Sequence, residues 1–273
     1  MESVRAWAEH RGASYTCLDD EEFFADVPPP LFELEWIQPA TDLARLLAAR
    51  RLHEGYRCSI WIDADVLIFE PRRLQLPVPR GDAAFVREVW LRRNKKGRFF
   101  CREQVANYAC SFKRRSRTLE EYIATCLEAP ASAAADDRCF LGPTYLLARH
   151  SIEPLELIEH IGNLGPRVIR ALIQRDIPVL ETYRKALGSA IYAANLCLSF
   201  EDGRVSGQAH SDVVADLVTN GGRLFEANGW RSRRWCGSGI HGTPDSGSHA
   251  ERTRHHVRFG PARTRTPLPI GVF

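Results

Sequence analysis

A nearly apolar run, Cys58 to Ile62, follows a helical pattern and ends abruptly at Asp63-Ala64-Asp65, here called the acidic triplet. A short continuous apolar run is typical of a strand that is buried on both faces, as in a parallel sheet. Similar runs alternate with helical patterns through residues 1–200. This alternation indicates the α/β class, with a mixed, mostly parallel sheet flanked by helices.

The other elements follow from local patterns. Thr41 is predicted to cap a helix that begins at Asp42 and ends at Gly55. Asn94-Lys-Lys-Gly97 reads as a turn between two strands. Strands are predicted at 58–62, 66–69, 83–90, 98–102 and 105–112, and further helical patterns at 2–11, 119–128, 153–160 and 166–174.

The net charge of +3 is unevenly distributed along the chain. Residues 223–273 carry nine Arg and three acids, a net charge of +6, which leaves −3 on residues 1–222. The basic excess therefore gives no reason to expect a nucleic-acid partner. Gly, Ser, Arg, His and Pro dominate the tail, so we predict a folded domain over 1–222 and a disordered tail over 223–273. The tail composition also matches an out-of-frame reading of GC-rich DNA, so its origin stays open.

Cysteine usage and hydropathy bear on the compartment. Eight cysteines are scattered without a CxxC pair, which argues against a zinc ribbon and against a disulfide scaffold. No run approaches the roughly 18–20 apolar residues of a spanning helix. The first residues lack the pattern of a secretory signal. We expect reduced thiols and a cytoplasmic protein.

The acidic triplet is the strongest candidate for chemistry. It follows a predicted buried strand, and open α/β sheets bind ligands beyond the carboxyl ends of their strands. In an extended segment, carboxylates at i and i+2 point the same way. Adjacent carboxylates repel each other, and a divalent ion shared with diphosphate oxygens relieves this repulsion. Because about 0.7 such triplets arise by chance in a chain of this composition, two turn-forming Asp residues are the alternative.

Residues upstream of the triplet extend the pattern. Asp42 and Arg45 open the preceding helix three residues apart, on one face, and Gly55 and the apolar strand follow. This spacing resembles that of bacterial GT-A-type glycosyltransferases with a DXD sugar-binding region. Leu141-Gly-Pro-Thr144 is similar to a Gly-Pro segment of glycosyltransferase family 32. An exposed intrahelical ion pair is the alternative for Asp42 and Arg45.

The resemblance implies a GT-A, Rossmann-like fold and a metal-dependent glycosyltransferase. A sugar would move from a nucleotide-diphosphate sugar to a saccharide or glycolipid acceptor. Asp63 and Asp65 would hold Mn²⁺ or Mg²⁺, and Asp63, Asp65 and Asp137 would be the catalytic carboxylates. Asp136 and Asp137, in the loop before Gly142-Pro143, are the candidates for the base of an inverting reaction, and solvated loop acids are the alternative. Asn195 is a further polar candidate, as a cap or in the lining of the site. The residues implied to contact the nucleotide sugar are Asp42, Arg45, Ala64 and Asn107.

The chain also differs from this family. Domains of that family begin with a strand that holds the nucleotide base. In this chain, the first predicted element is instead a helix, which begins at Glu2. A truncated, non-catalytic relative and a metal-dependent nucleotidyltransferase are therefore alternatives. A glycolipid acceptor would imply peripheral association with a membrane.

Overall fold

The computed structural model describes residues 2–34, 37–132, 142–143, 156–197, 207–221, 225 and 270–272. The helices are α1 (Glu2–His10), α2 (Asp20–Phe24), α3 (Gln38–Leu52), α4 (Arg117–Ser132), α5 (Pro166–Gln174), α6 (Ile177–Leu187) and α7 (Gly207–Asn220). The strands are β1 (Ser14–Tyr15), β2 (Cys58–Ile62), β3 (Val66–Ile68), β4 (Ala83–Arg93), β5 (Phe99–Lys113), β6 (Glu156–Ile158), β7 (Ile161–Asn163), β8 (Ala193–Asn195) and β9 (Ile270–Val272).

Two sheets organise the described residues. The larger has the order β1-β9-β2-β5-β4-β6, and the smaller has the order β3-β8-β7. In the larger sheet, β1 with β9, β9 with β2, and β4 with β6 are parallel, whereas β5 is antiparallel to both β2 and β4. The fold is thus mixed α/β with a mostly parallel central sheet, and β2 lies in its interior as its apolar run predicts.

Helix α3 is the buried helix that carries the upstream candidates. Leu43, Leu46 and Leu47 pack in one cluster with Phe85 and Phe112 of the sheet. Because α3 is buried along most of its length, its polar side chains must find partners inside the protein.

The predicted start of α3 is wrong by one turn. The helix begins at Gln38, with Pro39 in its first turn, where a proline costs no backbone hydrogen bond. Thr41 therefore lies within the helix, and its Oγ1 donates to the Ile37 carbonyl at 3.1 Å rather than capping an end.

The C-terminal strand corrects the prediction of a disordered tail. Ile270–Val272 lies between β1 and β2, parallel to both, so it is an interior strand. Val272 is fully buried. Gly271 lies so close to Tyr56 that an added Cβ would be 3.2 Å from its ring, which explains a glycine here. The remaining residues of the tail, except Phe225, lie outside the described residues.

The helical pattern predicted near 153–160 is also wrong where the structure describes it. Residues 156–158 form β6, and a turn at Glu159-His160 leads into β7. Three-residue strands are too short for a period of two to be told from a helical period. Residues of β6 and β7 therefore adopt the strand conformation because they pair with distant strands, β4 and β8 respectively.

Two expectations about the compartment can be compared with the structure. Among the described cysteines, which are 17, 58, 101, 110, 126 and 197, none forms a disulfide. No helix of the described residues combines the length and the apolar character that crossing a membrane requires.

The amino end of α4 leads to a first prediction. Asp82 accepts hydrogen bonds from the Thr118 backbone N–H at 2.9 Å and from Thr118 Oγ1 at 2.6 Å. The net pKa of Asp82 is lowered. Partial burial alone would raise it, but the hydrogen bonds that the carboxylate accepts have the larger combined effect. We expect Asp82→Ala to lower the free energy of unfolding by about 1–2 kcal/mol at pH 7.

The sign of the pH dependence follows from the lowered pKa. The stabilisation by ionised Asp82 is present above about pH 4 and is lost as the pH falls through the lowered folded value. Urea unfolding of both proteins at pH 7 and near pH 3 measures the difference. An equal loss at both pH values would contradict the role of the ionised carboxylate.

Candidate functional site

The acidic triplet lies between β2 and β3, at the carboxyl end of β2. The Val66 amide donates to the Asp63 carbonyl at 3.1 Å and closes a turn with Ala64 and Asp65 at its centre. Ala64 is exposed, and both carboxylates are half-buried. The two carboxylates were predicted to point the same way in an extended segment. That argument does not hold, because side chains of a turn do not alternate as those of a strand do.

Arg45 joins Asp42 to the triplet. Its Nη1 lies 3.0 Å from Asp42 Oδ1, and its Nη2 lies 3.4 Å from Asp63 Oδ1. Asp42 and Arg45 are 8 % and 7 % exposed. Their predicted placement on one helix face is confirmed, and the alternative of an exposed ion pair is wrong. The guanidinium thus links α3 to the end of β2.

A β-bulge in β5 adds Asn107. Phe85 of β4 pairs with Cys110, and the next residue, Val86, pairs with Ala106. Residues 107–109 of β5 therefore have no pairing partner in β4. Bulges re-aim side chains and are frequent beside active sites. Here Asn107 Nδ2 donates to Asp42 Oδ1 at 2.9 Å. We call Asp42, Arg45, Asp63 and Asn107 the Arg45 cluster.

Burial and charge act against each other in the Arg45 cluster. Burial raises the pKa of Asp42 and of Asp63, and the nearby guanidinium partly offsets it. For Arg45, burial lowers the pKa, but the carboxylates of Asp63 and Asp42 raise it further, so the guanidinium stays protonated. Two carboxylates, those of Asp42 and Asp63, thus share one cation. A diphosphate would be repelled by this charge unless a cation came with it.

Trp61 is a contact residue that sequence reasoning missed. Its indole Nε1 donates to the Asp63 carboxylate. The Arg45 guanidinium lies 5.8 Å from the Trp61 ring centroid, and the Phe23 ring stacks on Trp61 with centroids 5.2 Å apart. The available signal was position, since Trp61 and Asp63 lie two residues apart where β2 ends.

A second buried polar network lies next to the triplet. Glu88, 5 % exposed, accepts from Asn163 Nδ2 at 3.0 Å and from Gln104 Nε2. Burial raises its pKa, and the hydrogen bonds oppose this effect. The Cys197 thiol donates to the Asn163 side chain, which ties the segment after β8 to the network. Sequence reasoning missed Glu88, although a carboxylate at a core-facing position of an apolar strand was a usable signal.

The segment after β8 connects this network to the turn. The Leu196 amide donates to the Asp65 carbonyl at 3.0 Å. Asn195 Oδ1 accepts from the Cys197 amide at 2.8 Å, and Cys197 has a left-handed backbone with φ of +49°. This hydrogen bond closes a local turn at the end of β8, and the two roles predicted for Asn195, a cap or part of the site lining, stay predictions. The polar network thus supports the backbone on which Asp65 lies.

The turn carries two carboxylates, Asp63 and Asp65, of which Asp63 already contacts Arg45 and Trp61. Mg²⁺ and similar ions are commonly held by one or two carboxylates together with substrate phosphates and water. Among the described residues, no group of three or more His, Cys, Asp or Glu side chains is placed to hold an ion. Asp63 and Asp65 would therefore need oxygen ligands from a bound diphosphate.

Two buried polar side-chain atoms lie in the elements that surround the triplet. Arg45 Nε and Tyr108 Oη have no hydrogen-bond partner among the described residues. Tyr108 lies in the bulge, and its carbonyl accepts from the Asp63 amide at 2.8 Å. Buried polar groups normally have partners. Glu88 is the foremost charged group acting on the Tyr108 hydroxyl, so this atom adjoins the second polar network.

Comparison of the chain with protein-family models, curated proteins and solved structures finds no match. Asp136 and Asp137, the candidates for the base, lie outside the described residues, as do Leu141 and Thr144 of the Gly-Pro segment. Their roles stay predictions.

Proposed function

We propose that the chain is a metal-dependent glycosyltransferase of GT-A type that uses a nucleotide-diphosphate sugar. The observation that carries the proposal is the Arg45 cluster. Its members come from α3, the end of β2 and the bulge of β5, and Asp42 and Asn107 are 65 residues apart in the chain. All four were predicted site residues, and they lie together at the carboxyl end of a sheet strand, where α/β proteins bind ligands.

The residues have distinct proposed roles. Arg45 would donate to a ribose or sugar hydroxyl through Nε, which has no hydrogen-bond partner among the described residues. Asp42 would accept from a sugar hydroxyl, and Asn107 positions it through the 2.9 Å hydrogen bond. Trp61 positions Asp63 in the same way. Ala64, exposed at the turn, would leave room for the nucleotide sugar.

The transfer breaks the bond from the anomeric carbon to the diphosphate oxygen and forms a bond from that carbon to an acceptor oxygen. The acceptor hydroxyl loses its proton to a base, for which Asp136 and Asp137 are the sequence candidates in an inverting reaction. Asp63 and Asp65 would hold Mn²⁺ or Mg²⁺. When bound, such an ion acts as a Lewis acid that stabilises the leaving diphosphate.

A saccharide or glycolipid is the proposed acceptor, and the cytoplasm is the proposed location. The described cysteines form no disulfide among themselves, which suits a reducing compartment.

The test is a binding titration with UDP- and GDP-sugars, with and without Mn²⁺. Binding of one of these donors should tighten at least tenfold with Mn²⁺, and Asp65→Ala should remove this gain. Glu54→Ala, which removes an exposed carboxylate between α3 and the start of β2, outside the triplet and the Arg45 cluster, is the matched control and should behave as wild type. Failure of every nucleotide sugar to bind would exclude the proposal, and binding that ignores Mn²⁺ would exclude its metal-dependent part.

A non-catalytic nucleotide-sugar-binding protein is the second candidate. It is favoured by the engagement of Asp63, whose carboxylate already contacts Arg45 and Trp61. In that case the donor binds, but no nucleoside diphosphate is released in the presence of acceptor mixtures. Mn²⁺-dependent binding of nucleoside triphosphates in preference to nucleotide sugars would instead favour a nucleotidyltransferase.

A further inference from the structure

The hairpin formed by β4 and β5 ends in a basic tip, residues 91–102, that the proposed function does not use. The tip contains six cations and no Asp or Glu. Among the described residues, no carboxylate lies within 4.0 Å of any of these cations. The cations are Arg92, Arg93, Lys95, Lys96, Arg98 and Arg102.

The basic tip has a defined turn. Asn94 Oδ1 accepts from the backbone N–H groups of Lys96 at 3.0 Å and Arg98 at 2.9 Å. The Asn94 amide donates to the Arg98 carbonyl at 2.9 Å, and Gly97 takes a φ of +79°, which suits a glycine at a hairpin turn. The turn thus places Lys95, Lys96 and Arg98 within four consecutive residues, and an anionic partner would offset the repulsion among their charges.

Two exposed phenylalanines lie on the basic tip. Phe99 and Phe100 are 36 % and 45 % exposed. They are consecutive in β5, so they lie on opposite faces of the hairpin. Their cross-strand partners are Arg93 and Arg92, and the Arg93 guanidinium lies 5.7 Å from the Phe99 ring centroid. Each face of the tip thus combines an aromatic ring with a cation.

This arrangement discriminates between two kinds of anionic partner. A nucleic acid stacks its bases on rings that share one platform. Rings on opposite faces of a narrow hairpin can both be removed from water only when the end of the hairpin is inserted into a surrounding phase. The interface of a bilayer is such a phase, since aromatic side chains enter its headgroup region while Lys and Arg pair with lipid phosphates.

We propose that the basic tip docks the protein onto a membrane surface that contains anionic lipids. Phe99 and Phe100 enter the headgroup region, and the six cations contact phosphate and carboxylate groups. The inference does not depend on glycosyl transfer, because docking is measured without any nucleotide sugar.

The test is sedimentation of the full chain with vesicles of phosphatidylcholine, with or without phosphatidylserine. The triple variant Lys95→Gln, Lys96→Gln and Arg98→Gln should bind phosphatidylserine vesicles about 100-fold more weakly than wild type, since each cation near the surface contributes roughly a fivefold factor. The double variant Phe99→Ser and Phe100→Ser should also bind more weakly. Its remaining binding should still decrease when NaCl is added.

A matched control removes the same charge elsewhere. Arg57→Gln, Arg72→Gln and Arg114→Gln change three exposed cations outside the tip and should leave vesicle binding unchanged. An equal loss of vesicle affinity in this control would show that binding depends on the net charge of the protein and not on the tip, and it would overturn the proposal. Absence of wild-type binding to phosphatidylserine vesicles would overturn it too, as would tip-dependent binding to single-stranded DNA at concentrations where vesicles do not bind.

Discussion

Arg45→Met should lower the free energy of unfolding by about 3–5 kcal/mol, because it leaves two largely buried carboxylates without their cation. The side chains of Arg45 and Asp42 are 8 % and 12 % exposed, and that of Asp63 is 23 % exposed. Water can therefore replace little of the lost interaction. Urea unfolding at pH 7, compared with wild type, measures the loss.

The pH dependence of this loss has a definite sign. Burial raises the pKa of Asp42 and Asp63, and without Arg45 the folded values rise further. A raised folded pKa gives stability that is present at low pH and lost as the pH rises through that value. The difference between Arg45→Met and wild type should therefore grow between about pH 4 and pH 7.

A second substitution controls for the shape of the side chain. Arg45→Met combined with Asp42→Asn keeps the methionine but removes one of the two unpaired charges, so it should recover part of the loss. A loss below about 1 kcal/mol for Arg45→Met, or no recovery in the double variant, would contradict the buried cluster, since exposed ion pairs contribute that little.

Val272→Asp should destabilise the protein by about 3 kcal/mol or more, because it places a carboxylate without a partner between two strands. Val272 is fully buried in β9. The matched control is Val218→Asp in α7, where the valine is 60 % exposed and the change should stay within about 0.5 kcal/mol. Thermal or urea unfolding of the full chain measures both. Equal stability of the two variants would contradict the buried strand at residues 270–272 and support the disordered tail that composition predicts.

The parts of the fold that sequence predicts well are those with a local cause. The apolar run of β2, the helical period of α3 and the turn at Asn94–Gly97 are each visible within a few residues. Strands β6 to β9 have three residues each, and no period can be read from so few. They form because distant strands offer unpaired backbone groups, and the sequence around 156–158 even follows a helical pattern.

The site divides in the same way. Asp42 and Arg45 could be paired from their spacing, and the end of an apolar strand located the triplet. Trp61 and Glu88 offered local signals, the end of β2 and a carboxylate in an apolar strand. The placement of Tyr108 depends on the bulge opposite Phe85 and Val86, and the partner of Glu88 depends on the packing of β7. A register shift of this kind results from tertiary packing and leaves no signature in a single sequence.

The position of β9 also has a consequence for the order of folding. Ser14 of β1 pairs with Gly271, about 250 residues later, and contacts of such long separation slow folding. During synthesis, β1 and β2 leave the ribosome long before the strand that belongs between them. Until then their facing backbone groups are open edges, at which another chain could pair. The nascent protein is therefore expected to depend on chaperones until β9 has been made.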